Sequence, residues 1–145
     1  MRLAQEMATP VNALAADLLE IRGSDDVVRV RQLVRERSTL AGFRLVDQTK
    51  LVTAASELAR NTLEHGGGGT VRVEVVEQGA RRGVRLVFED QGPGIADMTL
   101  ALTDGYTTGS GMGLGLSGSR RLVNEFDIWS QVGVGTRVTV VRWRT

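Results

Sequence analysis

The spacing of apolar residues changes along the chain, and each change predicts a new element. Residues 1–12 show no periodicity and are expected to be loose, whereas residues 13–21 predict a short strand that ends at a glycine. Ser24 then offers a side-chain oxygen as a helix N-cap, and apolar residues recur at helical spacing from there to Gly42. A first helix is therefore predicted between these two residues.

A second helical repeat begins near Val46, with Asp47 as its predicted cap, and stops at the glycines of residues 66–69. The pattern then changes to period two, which predicts a hairpin of strands at residues 71–76 and 84–88. The rest of the chain is predicted to contain the following elements: a short helix at residues 96–104, a longer helix at 114–126, and a second hairpin of strands at 128–132 and 137–143.

The predicted order is β-α-α-β-β-(cover)-α-β-β, where the cover is the segment that contains the short helix at residues 96–104. This order suits one mixed, mostly antiparallel sheet with helices on one face. The predicted fold class is therefore an α+β two-layer sandwich, formed as a single domain over residues 13–145. A chain of 145 residues has no room for a second domain of that size.

Composition removes several classes of function. The formal net charge of +1 predicts neither a nucleic-acid partner nor an anionic membrane surface. The chain has no cysteine and one histidine, His65, which excludes thiol chemistry and sites built from several Cys or His ligands. No apolar run approaches the roughly 18 residues of a membrane span, and the first residues lack the features of a secretory signal. A cytoplasmic protein is expected.

Two glycine clusters mark a predicted nucleotide site. Asp90 follows a predicted strand and precedes Gly92 and Gly94, so a carboxylate that can accept a hydrogen bond from an exocyclic amine stands beside residues without side chains. The second cluster, residues 109–115, opens the helix predicted at residues 114–126. The N-terminal N–H groups of that helix favour an anion such as phosphate.

Two other glycine-rich sites compete with this interpretation. A P-loop requires Gly-Lys-Ser/Thr, and no lysine lies near these glycines. The Rossmann pattern G-x-G-x-x-G occurs at Gly113, Gly115 and Gly118, but polar, glycine-rich residues precede it where a buried strand is required. Too little chain follows for the parallel strands of that fold, so both alternatives are disfavoured.

The second predicted helix carries a polar pair. Glu57 and Asn61 are four residues apart, which places them on the same face of a helix. The amide oxygen of Asn61 is a hard ligand for Mg²⁺, an ion that proteins hold with few side chains plus phosphate oxygens and water. Glu57 is a candidate general base that takes a proton from an attacking hydroxyl.

These motifs resemble those of the ATPase superfamily shared by gyrase, heat-shock chaperone, histidine kinase and mismatch-repair proteins (GHKL). Residues 57–61 resemble its N-box, residues 90–94 its first glycine box and residues 109–115 its second. Residues 133–136 are similar to its last conserved turn, where a threonine supports the adenine. Four motifs in the family's order make the match specific from about Ile21 to the C-terminus.

Within the superfamily, the chain resembles the bacterial anti-sigma-factor serine/threonine kinases, and among them the stressosome switch kinases. Residues 56–61, 89–95 and 121–126 carry this likeness. The resemblance implies ATP and Mg²⁺ as cofactors and phosphorylation of a serine or threonine on a STAS-domain protein. It also implies that the kinase afterwards binds and activates a metal-dependent serine phosphatase.

The resemblance extends to individual residues. It implies that Asp90 accepts the adenine amino group, that Thr136 bonds the adenine directly or through water, and that Asn61 is the metal ligand. Glu57 is the implied catalytic base. The residues expected to contact the nucleotide share a position in or beside these motifs: Asn61, Asp90, Gly92, Gly94, Ile95, Thr107, Thr108, Gly111, Met112, Gly113, Leu114, Gly115, Leu116 and Thr136.

One position departs from the family pattern. Sigma-sequestering members often carry an arginine just before the Ser-Gly-Met-Gly run, near the phosphates, and this chain has Gly109 there. The departure favours the switch-kinase branch. It also keeps a second class of function open, a catalytically weak nucleotide-binding module that regulates a phosphatase or a sigma factor by docking. A phosphoaccepting role for His65 is rejected because the chain encodes no separate dimerising helix for it.

Overall fold

The structure is a computed structural model that describes residues 10–103 and 116–145. One five-stranded sheet contains β1 (Asn12–Ile21), β2 (Gly69–Gln78), β3 (Arg81–Asp90), β4 (Glu125–Gln131) and β5 (Gly135–Trp143). The strand order is β1-β2-β3-β5-β4, and each neighbouring pair is antiparallel. The helices are α1 (Ser24–Leu40), α2 (Leu45–Glu64), α3 (Met98–Ala101) and α4 (Leu116–Arg121). The predicted two-layer α+β sandwich is confirmed.

The main core lies between the sheet and the two long helices, α1 and α2. The period-two pattern of β2 directs Val71, Val73 and Val75 into it, and the helical repeat of α2 supplies Leu51 and Leu58. Complete burial of a valine or leucine side chain stabilises a fold by about 1.5–3 kcal/mol. This shared core therefore fixes α2 across the sheet. Within the described residues, no helix is both long and apolar enough to cross a membrane.

The predicted starts of both long helices are wrong in detail. Ser24 is the first residue of α1, and Gly23 occupies the N-cap position, where its N–H donates to the Asp26 carboxylate at 3.1 Å. Arg44 occupies the N-cap position of α2. Asp47 lies buried inside that helix, because its carboxylate pairs with Arg142 of β5 rather than with the helix end.

The helix predicted at residues 114–126 is shorter than its apolar spacing suggests. The described helix α4 ends at Arg121, and Phe126 belongs to β4. Asn124 marks the change, because its side-chain oxygen accepts the N–H of Trp143 at 2.7 Å and its own N–H donates to the carbonyl of Val141 at 2.9 Å. Bonds to β5 therefore replace the next helical turn.

The register of the sheet brings distant segments to one edge. Asp90 is the last residue of β3, and it pairs with Gly69 of β2 on one side and with Thr136 of β5 on the other. The turn from α2 into β2 passes over the same corner, since Gly66 lies against Asp90. Residues that are far apart in the sequence thus meet beside the C-terminal end of α2.

Candidate active site

A narrow cleft opens where the end of α2 meets the end of β3. Helices α2 and α4, strands β3 and β5 and the segment after β3 line it with Leu58, Asn61, Thr62, His65, Phe88, Asp90, Ile95, Leu116, Thr136 and Val138. The cleft has a volume of about 20 Å³, which is the room that one water molecule needs. It brings together five of the residues selected from the sequence: Asn61, Asp90, Ile95, Leu116 and Thr136.

Asp90 presents a partly desolvated carboxylate to this cleft. Burial raises the pKa of Asp90 above its ordinary value, and the N–H of Gly92, the nearby His65 and the N–H of Thr136 oppose that shift. The Gly92 N–H donates to Oδ1 at 2.9 Å. Hydrogen bonds strengthen where the local dielectric is low, so a ligand amine would gain more from this acceptor than from an exposed one.

Glycines allow the backbone to close around Asp90. A Cβ on Gly66 would lie 2.4 Å from Cγ of Asp90, and a Cβ on Gly92 would lie 2.7 Å from Cα of Gly66. Gly94 has φ of +77° and would place a Cβ 2.5 Å from the carbonyl oxygen of Gln131. Side chains at these positions would displace the cleft wall. The position of Gly66 in the sequence indicates only the end of a helix and gives no sign of this contact.

Ser130 of β4 orders the opposite wall and was also missed. Its hydroxyl donates to the carbonyl of Gly135 at 3.1 Å, accepts the N–H of Ile95 at 2.8 Å, and lies 2.8 Å from Oγ1 of Thr136. A single side chain therefore ties Thr136 to the segment that carries Ile95. The sequence gives one sign of this role. Ser130 stands two residues after the core residue Ile128, so it lies on the inward-facing side of β4, where a polar residue needs a partner.

Asn61 faces the cleft with a buried amide. Its Nδ2 has no hydrogen-bond partner among the described residues, and an unpaired buried polar group costs about 1–3 kcal/mol. The described residues contain no group of three or more His, Cys, Asp or Glu that could hold a metal. A magnesium ion at this position would take the Asn61 amide oxygen together with phosphate and water oxygens, which is the usual ligand set of that ion. The single amide oxygen of Asn61 suits an ion that takes its remaining ligands from a nucleotide and from water.

Glu57 lies one helical turn before Asn61, outside the lining of the cleft. Its side chain is 40% exposed, and Oε1 lies 3.2 Å from Nη1 of Arg60. Exposed pairs of this kind contribute only about 0.2–0.5 kcal/mol to a helix. The carboxylate can therefore leave Arg60 at little cost and meet a hydroxyl that arrives from solvent.

His65 connects the end of α2 to the cleft. It is the C-cap residue of α2, and it also lines the cleft, with Nε2 3.4 Å from the carbonyl oxygen of Gly94. The predicted site residues Thr107, Thr108, Gly111, Met112, Gly113, Leu114 and Gly115 lie outside the described residues.

A second, more open groove of about 450 Å³ lies at the start of α1, lined by Leu18, Leu19, Glu20, Arg22, Asp26 and Arg29. It contains none of the residues selected from the sequence. Its charged side chains are paired with one another, Arg22 with Glu20 at 2.7 Å and Arg29 with Asp26 at 3.0 Å. The narrow cleft is therefore the better candidate for chemistry, because it holds the partly desolvated Asp90 carboxylate and an Asn61 Nδ2 that has no partner among the described residues.

Comparison with known proteins agrees with this geometry. The family model described as histidine kinase-, DNA gyrase B- and HSP90-like ATPase matches residues 46–144. The chain is 42% identical over 118 residues to the serine/threonine-protein kinase RsbT of Bacillus subtilis, which covers 81% of this chain and 89% of that protein. It is 29% identical over 122 residues to an anti-sigma F factor of Anoxybacillus flavithermus, which covers 75% of this chain and 82% of that protein.

A solved structure of the RsbU and RsbW domains of a Mycobacterium tuberculosis protein superposes with a TM-score of 0.64. The superposition covers 90% of this chain but only 33% of that longer chain, at 22% identity, so it shows the fold alone. The family model and the kinase relative, in contrast, cover most of this sequence. The chain therefore belongs to the histidine kinase-, DNA gyrase B- and HSP90-like ATPases and, within them, to the serine/threonine kinases of the anti-sigma-factor type.

Proposed function

We propose that this chain uses ATP to phosphorylate a serine or threonine of a STAS-domain protein and then binds and activates a metal-dependent serine phosphatase. The observation that carries the proposal is the convergence of Asn61, Asp90 and Thr136 on one cleft, with Glu57 one helical turn away. The relatives support the class of reaction and of regulation, since one is a serine/threonine kinase and another an anti-sigma factor.

Adenine recognition is assigned to the end of β3 and its neighbours. The Asp90 carboxylate would accept a hydrogen bond from the adenine amino group, whereas guanine presents a carbonyl oxygen there and has no proton to donate. Thr136, held by Ser130, would bond the ring on the other side. Ile95 and Leu116 would supply apolar walls. Because the cleft has a volume of only about 20 Å³, these walls are expected to separate when the base enters.

Phosphoryl transfer is assigned to α2. Magnesium, when bound, would neutralise phosphate charge, and Asn61 would hold it through the amide oxygen. Glu57 would take the proton of the acceptor hydroxyl while the hydroxyl oxygen bonds to the γ-phosphorus. The bond from that phosphorus to the bridging oxygen breaks, and ADP leaves with the electron pair. The partial exposure of Glu57 suits an acceptor that is carried by another protein.

The experiment that tests the proposal combines ATP labelled at the γ-phosphate with candidate STAS-domain proteins and, separately, with candidate serine phosphatases. Transfer of label to a STAS serine or threonine, followed by phosphatase activation, is the expected result. Phosphatase activation with bound ATP but no transfer would instead support the docking module, which stays open because Gly109 stands where sigma-sequestering members of the family often have an arginine. Absence of ATP binding would contradict both functions.

Replacing Asp90 by asparagine should weaken ATP binding by about 1.5–3 kcal/mol, the usual contribution of a hydrogen bond to a charged group. Titration calorimetry with Mg-ATP measures the loss, and GTP provides the comparison for base selection. Thermal unfolding of the variant should stay close to that of the unaltered chain, because Asp90 is only half-buried and ends a strand. Unchanged affinity for ATP would remove Asp90 from base recognition.

Replacing Ser130 by alanine should lower ATP affinity by about 1 kcal/mol, roughly fivefold, because the hydroxyl that holds Thr136 and the Ile95 segment is lost. Ser38→Ala is the matched control, since Ser38 is a buried serine of α1 that bonds its own helix at the Val34 carbonyl. The control should retain ATP affinity. Equal ATP affinity in both variants would show that Ser130 has no positioning role.

A further inference from the structure

The corner between α1 and α2 exposes apolar side chains. Leu40, Leu45 and Val46 are 59%, 69% and 65% exposed, and they surround the short connection between the two helices. A single exposed leucine needs no explanation, but a group of exposed apolar residues at one place on a soluble domain marks an interaction surface. These three residues are called the corner patch below.

The corner patch does not result from a loose connection. Ala41 and Phe43 turn inward and are buried in the main core. The Phe43 N–H donates to the carbonyl of Ser38 at 2.9 Å, and the Gln48 side chain donates to the carbonyl of Phe43 at 3.1 Å. The connection is therefore held by its own bonds and core contacts, and the patch faces solvent on a defined framework.

Positive charge surrounds the patch. Arg44 and Lys50 are exposed beside it, and Arg144 reaches the same place, since its Nη1 would lie 3.1 Å from a Cβ on Gly42. None of these three cations forms an ion pair within the described ranges 10–103 and 116–145.

The carboxylates near the corner do little to offset these cations. Asp47 interacts with the charge of Lys50, but it is buried and bonded to Arg142 and Thr145, so it adds no exposed negative charge. Glu36 is exposed one turn before Leu40 on the same face of α1, so it borders the patch as one carboxylate against three cations. The chain as a whole has a net charge of only +1, so the positive charge around the patch is a local feature.

The patch is separate from the nucleotide cleft but aligned with the proposed base. Fifteen residues of α2 separate Val46 from Asn61, about 22 Å at 1.5 Å per residue. Val46, Lys50 and Glu57 follow one another at the spacing that keeps residues on a single helix face. A partner that covers the patch and extends along this face would approach Glu57 from solvent.

We infer that the corner patch docks an acidic amphipathic helix of a partner protein. The apolar side of that helix would cover Leu40, Leu45 and Val46, and its flanking Asp and Glu residues would face the surrounding cations. A helix is the fitting shape because the exposed side of α2 offers side-chain rows between which the rows of a second helix can pack. This goes beyond the proposed function, since docking here requires neither nucleotide nor Glu57.

Titration of the ¹⁵N-labelled full chain with a designed amphipathic helical peptide, leucine on one side and glutamate at the flanks, tests the inference. The amide shifts that change should cluster at residues 40–50 and 144. A peptide with lysine at every glutamate position should bind about tenfold more weakly, because its charges face Arg44, Lys50 and Arg144. Shifts that map elsewhere, or equal binding of the two peptides, would overturn the inference.

The variant Leu45→Ser with Val46→Ser should bind the acidic peptide at least about tenfold more weakly, since both side chains are exposed and their loss leaves the core intact. The matched control is Leu14→Ser with Leu18→Ser, another pair of exposed apolar residues, on β1, which should bind as the unaltered chain does. Undiminished binding by the corner variant would refute the docking surface. A fall in self-association of the corner variant would also refute it, because a second copy would then cover the patch.

The same variants separate this inference from the proposed function. The corner variant should retain ATP affinity, and Glu57→Ala should retain peptide binding, because the two sites lie at different parts of α2. If the unaltered chain binds ATP but does not bind the acidic peptide at the corner patch, only the docking surface is refuted. If the unaltered chain binds the peptide but does not bind ATP, only the kinase proposal is refuted.

Discussion

Replacing Glu57 by alanine is expected to lower phosphoryl transfer to a STAS partner by about 10²- to 10⁴-fold, the usual contribution of a general base. ATP should stay bound with little change in affinity, because Glu57 does not line the cleft. Loss of its 3.2 Å contact with Arg60 should cost at most about 0.5 kcal/mol of folding stability. Single-turnover transfer of labelled phosphate and calorimetry with Mg-ATP measure the two effects separately.

Glu64→Ala is the matched control for Glu57→Ala. Glu64 is an exposed glutamate near the end of the same helix and lies outside the cleft lining. The control should transfer phosphate at the rate of the unaltered chain. If Glu57→Ala transfers phosphate as fast as this control, the base must be another group. If both variants lose transfer, the effect belongs to negative charge on α2 in general.

Replacing Asp47 by alanine is expected to lower the free energy of unfolding by about 3–5 kcal/mol, the cost of leaving one charge of a buried pair without its partner. The Asp47 and Arg142 side chains are only 8% and 10% exposed. Arg142 also donates to the carbonyl of Leu122 at 2.7 Å, and Thr145 donates to Asp47 at 2.8 Å. The lost carboxylate thus disconnects α2 from β5 and from the end of the chain. Urea unfolding followed by circular dichroism measures the change.

The same pair predicts how stability depends on pH. Hydrogen bonds from Arg142 and Thr145 outweigh burial and hold the pKa of Asp47 below its ordinary value. A carboxyl group whose pKa is lowered in the folded state contributes its full stability above the pKa of the unfolded chain and loses it as pH falls through the folded pKa. The difference between Asp47→Ala and the unaltered chain should therefore shrink at strongly acidic pH.

Asp17→Ala is the matched control for this pair. Asp17 also bonds an arginine, Arg37, at 2.7 Å, but both side chains are about one-third exposed. Ion pairs that reach solvent contribute only about 0–1 kcal/mol. Equal losses of stability in the two variants would show that burial does not govern the contribution of Asp47, contrary to the expectation above.

The chemistry of the cleft was readable in the sequence because its motifs are local. A carboxylate followed by two glycines at residues 90–94, and a glutamate and an asparagine one helical turn apart, have meaning within a few residues of chain. Asp90, Asn61 and Thr136 could therefore be selected before their meeting was observed, and the structure brings them to one cleft. Their roles in binding stay predictions until the variants are measured.

Residues that act across the fold could not be selected in this way. Ser130 matters because the register of β4 and β5 places its hydroxyl between Thr136 and Ile95. Gly66 matters because the turn after α2 presses on Asp90, 24 residues later in the chain. Neither contact leaves a pattern in the neighbouring residues, since each depends on which strands pair and where a helix lies.

Apolar periodicity by itself determined the order of elements and the two-layer class, because the burial of one face repeats every two residues in a strand and at 3.6-residue spacing in a helix. It failed where a distant partner competes with local preference. Asp47 looks like a cap until Arg142, 95 residues away, takes its carboxylate. The helix before β4 looks longer until Asn124 bonds to β5. Tertiary structure decided these points because a buried charge or polar group takes the partner that packing brings to it.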